Sequence, residues 1–116
     1  MQVGKGALLV WTLLVLTATH WPNPNIDLDP LGGDKTVHFV AYGIWGALAV
    51  RGWARSFRQA AGAASLGGML AALDEVTQPF FGRHADTADW MADLLGLLIG
   101  VAMALWWRDG RQSLRR

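Results

Sequence analysis

Three blocks of polar residues interrupt an otherwise apolar chain, and their types suit proton transfer, anion recognition or cation binding. The first block is Asp34, Lys35, His38 and Tyr42. Asp34, His38 and Tyr42 recur at four-residue intervals, which puts them on one face of a helix. Asp34 is expected to cap that helix and to hold one imidazole nitrogen of His38, fixing its tautomer. The second block is Asp74, Glu75 and Gln78, followed by Pro79 and Arg83. Asp74 and Glu75 point about 100° apart on a helix, so they are expected to serve different partners. Carboxylates near a helix C-terminus oppose its dipole. Arg83, whose planar fork suits a carboxylate or a phosphate, is the expected compensation. The third block is Asp86, Asp89 and Asp93. Asp89 and Asp93 share a helix face, and Asp93 is expected to turn inward with Arg83, Lys35 or His38 beside it.

Two chemistries fit these groups. His38 can act as a general base oriented by Asp34, with Lys35 and Arg83 holding a phosphate; Glu75 is the other candidate for a catalytic role. Alternatively His38, Glu75 and Asp89 or Asp93 supply the imidazole and carboxylates that several divalent metals accept. The sequence carries no paired-histidine motif and no glycine-rich phosphate loop, so it assigns no metal and no cofactor. It contains no cysteine, hence neither a disulfide nor a thiol nucleophile. Thr77 and Thr87 are weak candidates for a nucleophile.

The elements that position these residues are four apolar runs, at about 6–21, 36–50, 59–75 and 90–107. Proline residues 22 and 24 end the first run. Each run is shorter than the ~20 residues that comfortably span a bilayer. Charged residues make up 16% of the 116 and hydrophobic ones 53%, more apolar surface than a soluble domain of this size can hide. Charge is also sorted by side. If all four runs cross from a cytoplasmic N-terminus, Lys5, Arg51, Arg55, Arg58, Arg108, Arg111, Arg115 and Arg116 lie inside, and only Lys35 and Arg83 lie outside. Among the acids only Asp109 lies inside. Trp21, Trp53, Trp90, Trp106 and Trp107 sit at run ends, as interfacial rings do; Trp11 and Trp45 are expected to face lipid or a neighbouring helix. A soluble bundle would not sort charge in this way. A signal peptide over the first run would require a small-residue cleavage site, and none is clear.

The expected fold is therefore all-α: one domain over 1–116, an integral membrane bundle of four short transmembrane helices, N-in and C-in. Ala63, Gly67 and Ala71 on the third helix, and Gly96, Gly100 and Ala104 on the fourth, offer close contacts within the bundle or a homodimer seam. The polar blocks fall at the extracytoplasmic helix ends and are expected to form one pocket. Asp27 and Asp29 are expected to face water and headgroups.

The order Asp34-Lys35-x-x-His38-Phe39-x-x-Tyr42, then Glu75-x-x-Gln78, Gly82-Arg83 and Asp89 with Gly96, resembles the VanZ-like family over about 31–107. That family is named for a membrane protein linked to resistance to the glycopeptide teicoplanin. The resemblance implies a small bacterial protein with several membrane helices. It also implies that Asp34, Lys35, His38, Tyr42, Glu75, Gln78, Arg83 and Asp89 are the motif residues. Many relatives have asparagine where this chain has Asp93.

These readings predict a multi-pass protein of the bacterial cytoplasmic membrane. Its pocket, with Asp93 added to the motif residues, would take the polar head of a membrane lipid or lipid-linked envelope molecule. A membrane-embedded hydrolase or transferase acting on a lipid or polyprenyl phosphate is the alternative. A proton or solute pathway fits poorly, because the acids stop at one side. Nucleic-acid binding has no support; the C-terminal arginines read as a topology anchor.

Overall fold

The computed structural model describes residues 3–22, 30 and 32–116, so Asp27 and Asp29 lie outside the described residues. Those residues form four α-helices and no strand: α1 (Val3–His20), α2 (Asp34–Trp53), α3 (Phe57–Thr77) and α4 (Thr87–Ser113). A 3-10 turn, Gln78–Phe81, follows α3. Each helix boundary has a local cause. The Ser56 side chain accepts from the Gln59 N–H at 3.2 Å, while Gln59 Oε1 accepts from the Arg55 N–H at 2.6 Å. This reciprocal arrangement starts α3 in the manner of a capping box. Asp86 caps α4, accepting from the Ala88 N–H at 2.9 Å. Gly82, at φ 76°, closes the 3-10 turn in the left-handed region that favours glycine. Asp34 is not the cap of α2. Gly33, at φ 90°, holds that position, and Asp34 is the first helical residue, where its charge faces the positive end of the dipole.

The chain runs up and down, so the C-terminal ends of α1 and α3 meet the N-terminal ends of α2 and α4. The tightest packing joins α2 to α4 through glycine. A Cβ on Gly96 would run into the Phe39 carbonyl, and one on Gly100 into the Gly43 carbonyl. A Cβ on Gly46 would lie 2.6 Å from the Leu97 carbonyl oxygen. On α3, Gly67 receives the edge of Trp45. Gly67, Gly96 and Gly100 are thus packed within one chain. The deep tryptophans join helices: Trp11 Nε1–H donates to the Ala41 carbonyl at 2.8 Å, and Trp45 Nε1–H to Thr12 Oγ1 at 2.9 Å.

The two ends of the bundle differ. At one end Lys5 lies over the Trp53 ring at 4.4 Å and Arg108 donates to the Ala54 carbonyl at 3.3 Å. Apart from Asp109, the acidic side chains of the described residues collect at the other end. Among the described residues, α4 alone is long and apolar enough to cross a membrane by length and composition. The remaining helices are shorter, and α2 and α3 are diluted by glycine and alanine.

Candidate functional site

His38 is the hub of the acidic end. It lies one turn into α2 and is buried. Its Nδ1 is 2.8 Å from Asp93 Oδ1 and 3.8 Å from Glu75 Oε1. Its Nε2 is 3.7 Å from Asp34 Oδ1 and 3.8 Å from Asp89 Oδ2. Carboxylates from α2, α3 and α4 therefore surround one imidazole. The short contact makes Nδ1 the donor to Asp93. Local sequence explains the geometry: Phe39 and Gly96 touch backbone to backbone, so the side chains of His38 and Asp93 beside them must meet.

Glu75 ties the end of α3 to the start of α4. Its Oε2 accepts from the Asp86 N–H at 3.2 Å and its Oε1 from Gln78 Nε2 at 3.3 Å. Lys35 bridges the rim, with Nζ donating to Asp86 Oδ2 at 3.2 Å and to Asp89 Oδ1 at 3.1 Å. The Ala88 N–H at the helix start, and then Lys35, hold the Asp86 carboxyl below its usual range.

Asp74 belongs to a second network on the other side of α3. Tyr42 donates its hydroxyl to Asp74 Oδ2 at 2.9 Å, and Thr19 donates to Asp74 Oδ1 at 2.5 Å. His20 Nδ1 is 3.3 Å from Asp74 Oδ1 and 2.9 Å from the Leu16 carbonyl. Its Nε2 is 2.7 Å from Thr77 Oγ1. The Thr77 hydroxyl is itself a donor to the Leu73 carbonyl at 2.7 Å. Tyr42 thus shares the helix face of His38 but binds a different carboxylate.

The structure brings Asp34, His38, Glu75, Asp89 and Asp93 together, with Lys35 and Gln78 at their edge. It separates Tyr42 into the Asp74 network. Arg83 is half-buried and pairs with no carboxylate among the described residues, so it is not the compensation for Asp74 and Glu75. Hydroxyls, an amide and a backbone N–H do that instead. Thr19 and His20 escaped the sequence reading, because they close an apolar run whose composition speaks only of hydrophobicity. The one available signal was a histidine at the end of that run, level with the polar blocks.

The donor atoms also suit a cation. His38, Glu75 and Asp93 each bring one potential ligand atom to within 4.8 Å of the others, as do Asp34, His38 and Asp89. Asp93 is fully buried, and its Oδ2 has no hydrogen-bond partner among the described residues. An apolar groove of about 460 Å³ lies toward the basic end, lined by residues such as Leu8, Trp45, Trp53 and Leu66; none of the polar cluster lines it.

No curated protein and no solved structure is found to match the chain. Residues 5–108 do match a family, VanZ/LLP1. That span takes in all of α1, apart from its first two residues, together with α2, α3 and most of α4, and hence both polar networks. The chain belongs to the VanZ/LLP1 family.

Proposed function

We propose that this chain is a multi-pass protein of the bacterial cytoplasmic membrane, with four short transmembrane helices and both termini in the cytoplasm. Its His38-centred cluster faces the extracytoplasmic side and binds the polar head of an amphipathic envelope molecule, a lipid or a lipid-linked precursor. The observation that carries this reading is an inversion of the usual burial. Leu13, Leu66, Met69, Leu95 and Met103 are 57–69% exposed, whereas Asp74, Asp93 and Glu75 are at most 5% exposed. Water penalises that arrangement, while a lipid surround with a hydrated polar end favours it. The basic residues at the opposite end agree with the positive-inside rule.

The cellular form of the proposal is a contribution to glycopeptide resistance, in line with the family name. Expression in a sensitive bacterium should raise tolerance to teicoplanin more than to vancomycin, with altered drug binding at the cell surface. Unchanged susceptibility together with unchanged surface binding removes the resistance branch. Retention of phospholipid or lipid-linked precursor by the purified protein, weakened by Glu75→Gln and Lys35→Gln, tests the binding reading directly. Equal retention by the wild type and both variants defeats it.

A second reading, a membrane-embedded hydrolase or transferase on a lipid or polyprenyl phosphate, is favoured by the orientation of His38. An imidazole held by Asp93 on one nitrogen and facing Asp34 and Asp89 with the other is placed as a general base requires. If His38→Ala and Glu75→Gln keep full cellular activity, the catalytic reading is lost.

A further inference from the structure

We infer that His38 Nδ1, Glu75 and Asp93 form a binding site for one divalent transition-metal ion, with Asp34 and Asp89 as outer carboxylates that orient the imidazole through Nε2. The inference deepens the binding reading of the same cluster, and it rests on that reading only in taking this end of the bundle as the ligand site.

A buried polar atom without a partner is costly, and native structures rarely keep one without a reason. Asp93 Oδ2 is such an atom. It belongs to the carboxylate whose other oxygen touches His38, so it sits inside the cluster. A cation between Asp93, Glu75 and His38 satisfies it without adding a donor side chain.

Glu75 and Asp93 are buried beside each other, with Asp34 and Asp89 close behind. The lysine in the network, Lys35, reaches only Asp86 and Asp89 at the rim. Two carboxylates and a neutral imidazole around a divalent ion give a locally neutral core, which a low-dielectric site demands.

A mixed set of imidazole nitrogen and carboxylate oxygen, without thiolate, suits Mn²⁺, Fe²⁺ or Zn²⁺; Ca²⁺ and Mg²⁺ prefer oxygen alone. Ligation at Nδ1 requires the tautomer with the imidazole proton moved to Nε2, and Nε2–H is then the donor. Asp34 Oδ1 and Asp89 Oδ2 lie at 3.7 and 3.8 Å from that nitrogen. A small approach completes the carboxylate–histidine–metal arrangement that fixes ligating imidazoles. A metal here also resolves a difficulty of the binding reading. A phosphate-bearing headgroup meets too many carboxylates in the bare cluster, but can coordinate a bound cation.

The test uses the full chain, purified in detergent and stripped with chelator. Binding of Mn²⁺ and Zn²⁺ alone is followed by calorimetry, with metal content by mass spectrometry. The expected result is about one ion per chain. His38→Gln and Asp93→Asn should abolish binding, while Asp34→Asn and Asp89→Asn should weaken it by about 10–100-fold. Asp109→Asn, at the opposite end, should bind as the wild type does. Circular dichroism and gel filtration establish that the variants fold; Glu75→Gln supplies a further ligand variant. A wild type that takes up neither metal overturns the proposal, as does uptake that survives both His38→Gln and Asp93→Asn. Lipid retention, measured on the same preparation in chelator and again after metal is restored, separates the two readings. Retention without metal uptake sinks the metal site alone, and metal uptake without retention sinks the headgroup reading alone.

Discussion

His38 Nδ1 lies 2.8 Å from Asp93 Oδ1, and what sets that distance is a glycine three residues further along α4. Gly96 lets the backbones of α2 and α4 touch at the Phe39 carbonyl. The polar contact is therefore a consequence of small-residue helix packing. Gly96→Ala places a methyl group against that carbonyl. It should destabilise the protein by about 1–3 kcal/mol, although alanine is the better helix former by ~1 kcal/mol. Gly62→Ala, where nothing lies within 4 Å of the new methyl group, should be neutral or stabilising. Unfolding of both variants in one detergent checks the pair. Equal stabilities would mean that the α2–α4 contact does not control the cluster.

The Asp74 network offers a separate expectation. Tyr42 is almost fully buried, and its hydroxyl supplies one of the bonds to Asp74. Tyr42→Phe leaves the carboxylate short of a donor and should cost about 1–3 kcal/mol. Asp74→Asn should cost a similar amount, because Thr19 and His20 also face that side chain. The double variant should cost less than the sum of the two, since the same bond is lost only once. Strict additivity in a double-mutant cycle would refute the coupling.

At the rim, the pH dependence has a definite sign. Asp86 is held below its ordinary value of 3.8, first by the Ala88 N–H and then by Lys35. A depressed carboxyl stabilises the fold above its unfolded-state pKa, and that contribution is lost as pH falls through the folded-state value. Lys35→Gln removes the lysine part of the depression only. The Asp86 carboxyl should then titrate at a higher pH, though still below its ordinary value. The stability difference between wild type and variant should vanish in strong acid, where the carboxyl is protonated in both states. Titration of Asp86 by carbon NMR reads the shift; an unmoved midpoint would mean that Lys35 does not act on it.

Much of the site was legible in the sequence, and what was not has physical causes. The four-residue period placed Asp34 and His38 together, and an aspartate one turn inside an apolar helix had to turn inward. Asp93 does so, onto His38. The same period put Tyr42 on that face, but a face does not name the partner, and Tyr42 reaches Asp74 on α3. The expectation that Asp34 caps α2 misses by one residue, because an acid in the first turn suits the helix dipole as well as one at the cap does. The expectation for Arg83 assumed that charge must answer charge. Hydroxyls and backbone N–H groups solved the problem at Asp74 and Glu75 with less desolvation. Thr19 and His20 entered through tertiary contact alone, across residues whose spacing carries no helical period relative to α3.

The membrane reading has an unusually clean test, because the chain has no cysteine of its own. A single cysteine at any position can therefore be labelled without background. His84→Cys, in the exposed turn before α4, should react in intact cells with a maleimide that cannot cross the membrane. Arg55→Cys and Ser113→Cys, at the basic end, should react only after permeabilisation. Leu98→Cys discriminates most sharply. Its position is 57% exposed in the isolated chain, so in water it would label readily. With hydrocarbon against α4 it should resist the reagent in intact and permeabilised cells alike, and react once detergent solubilisation and unfolding expose it. The thiolate is the reactive form, and it does not persist in a bilayer core. Labelling of Leu98→Cys in permeabilised cells, or of Ser113→Cys in intact ones, would overturn the orientation and with it the placement of the His38 cluster toward the outside.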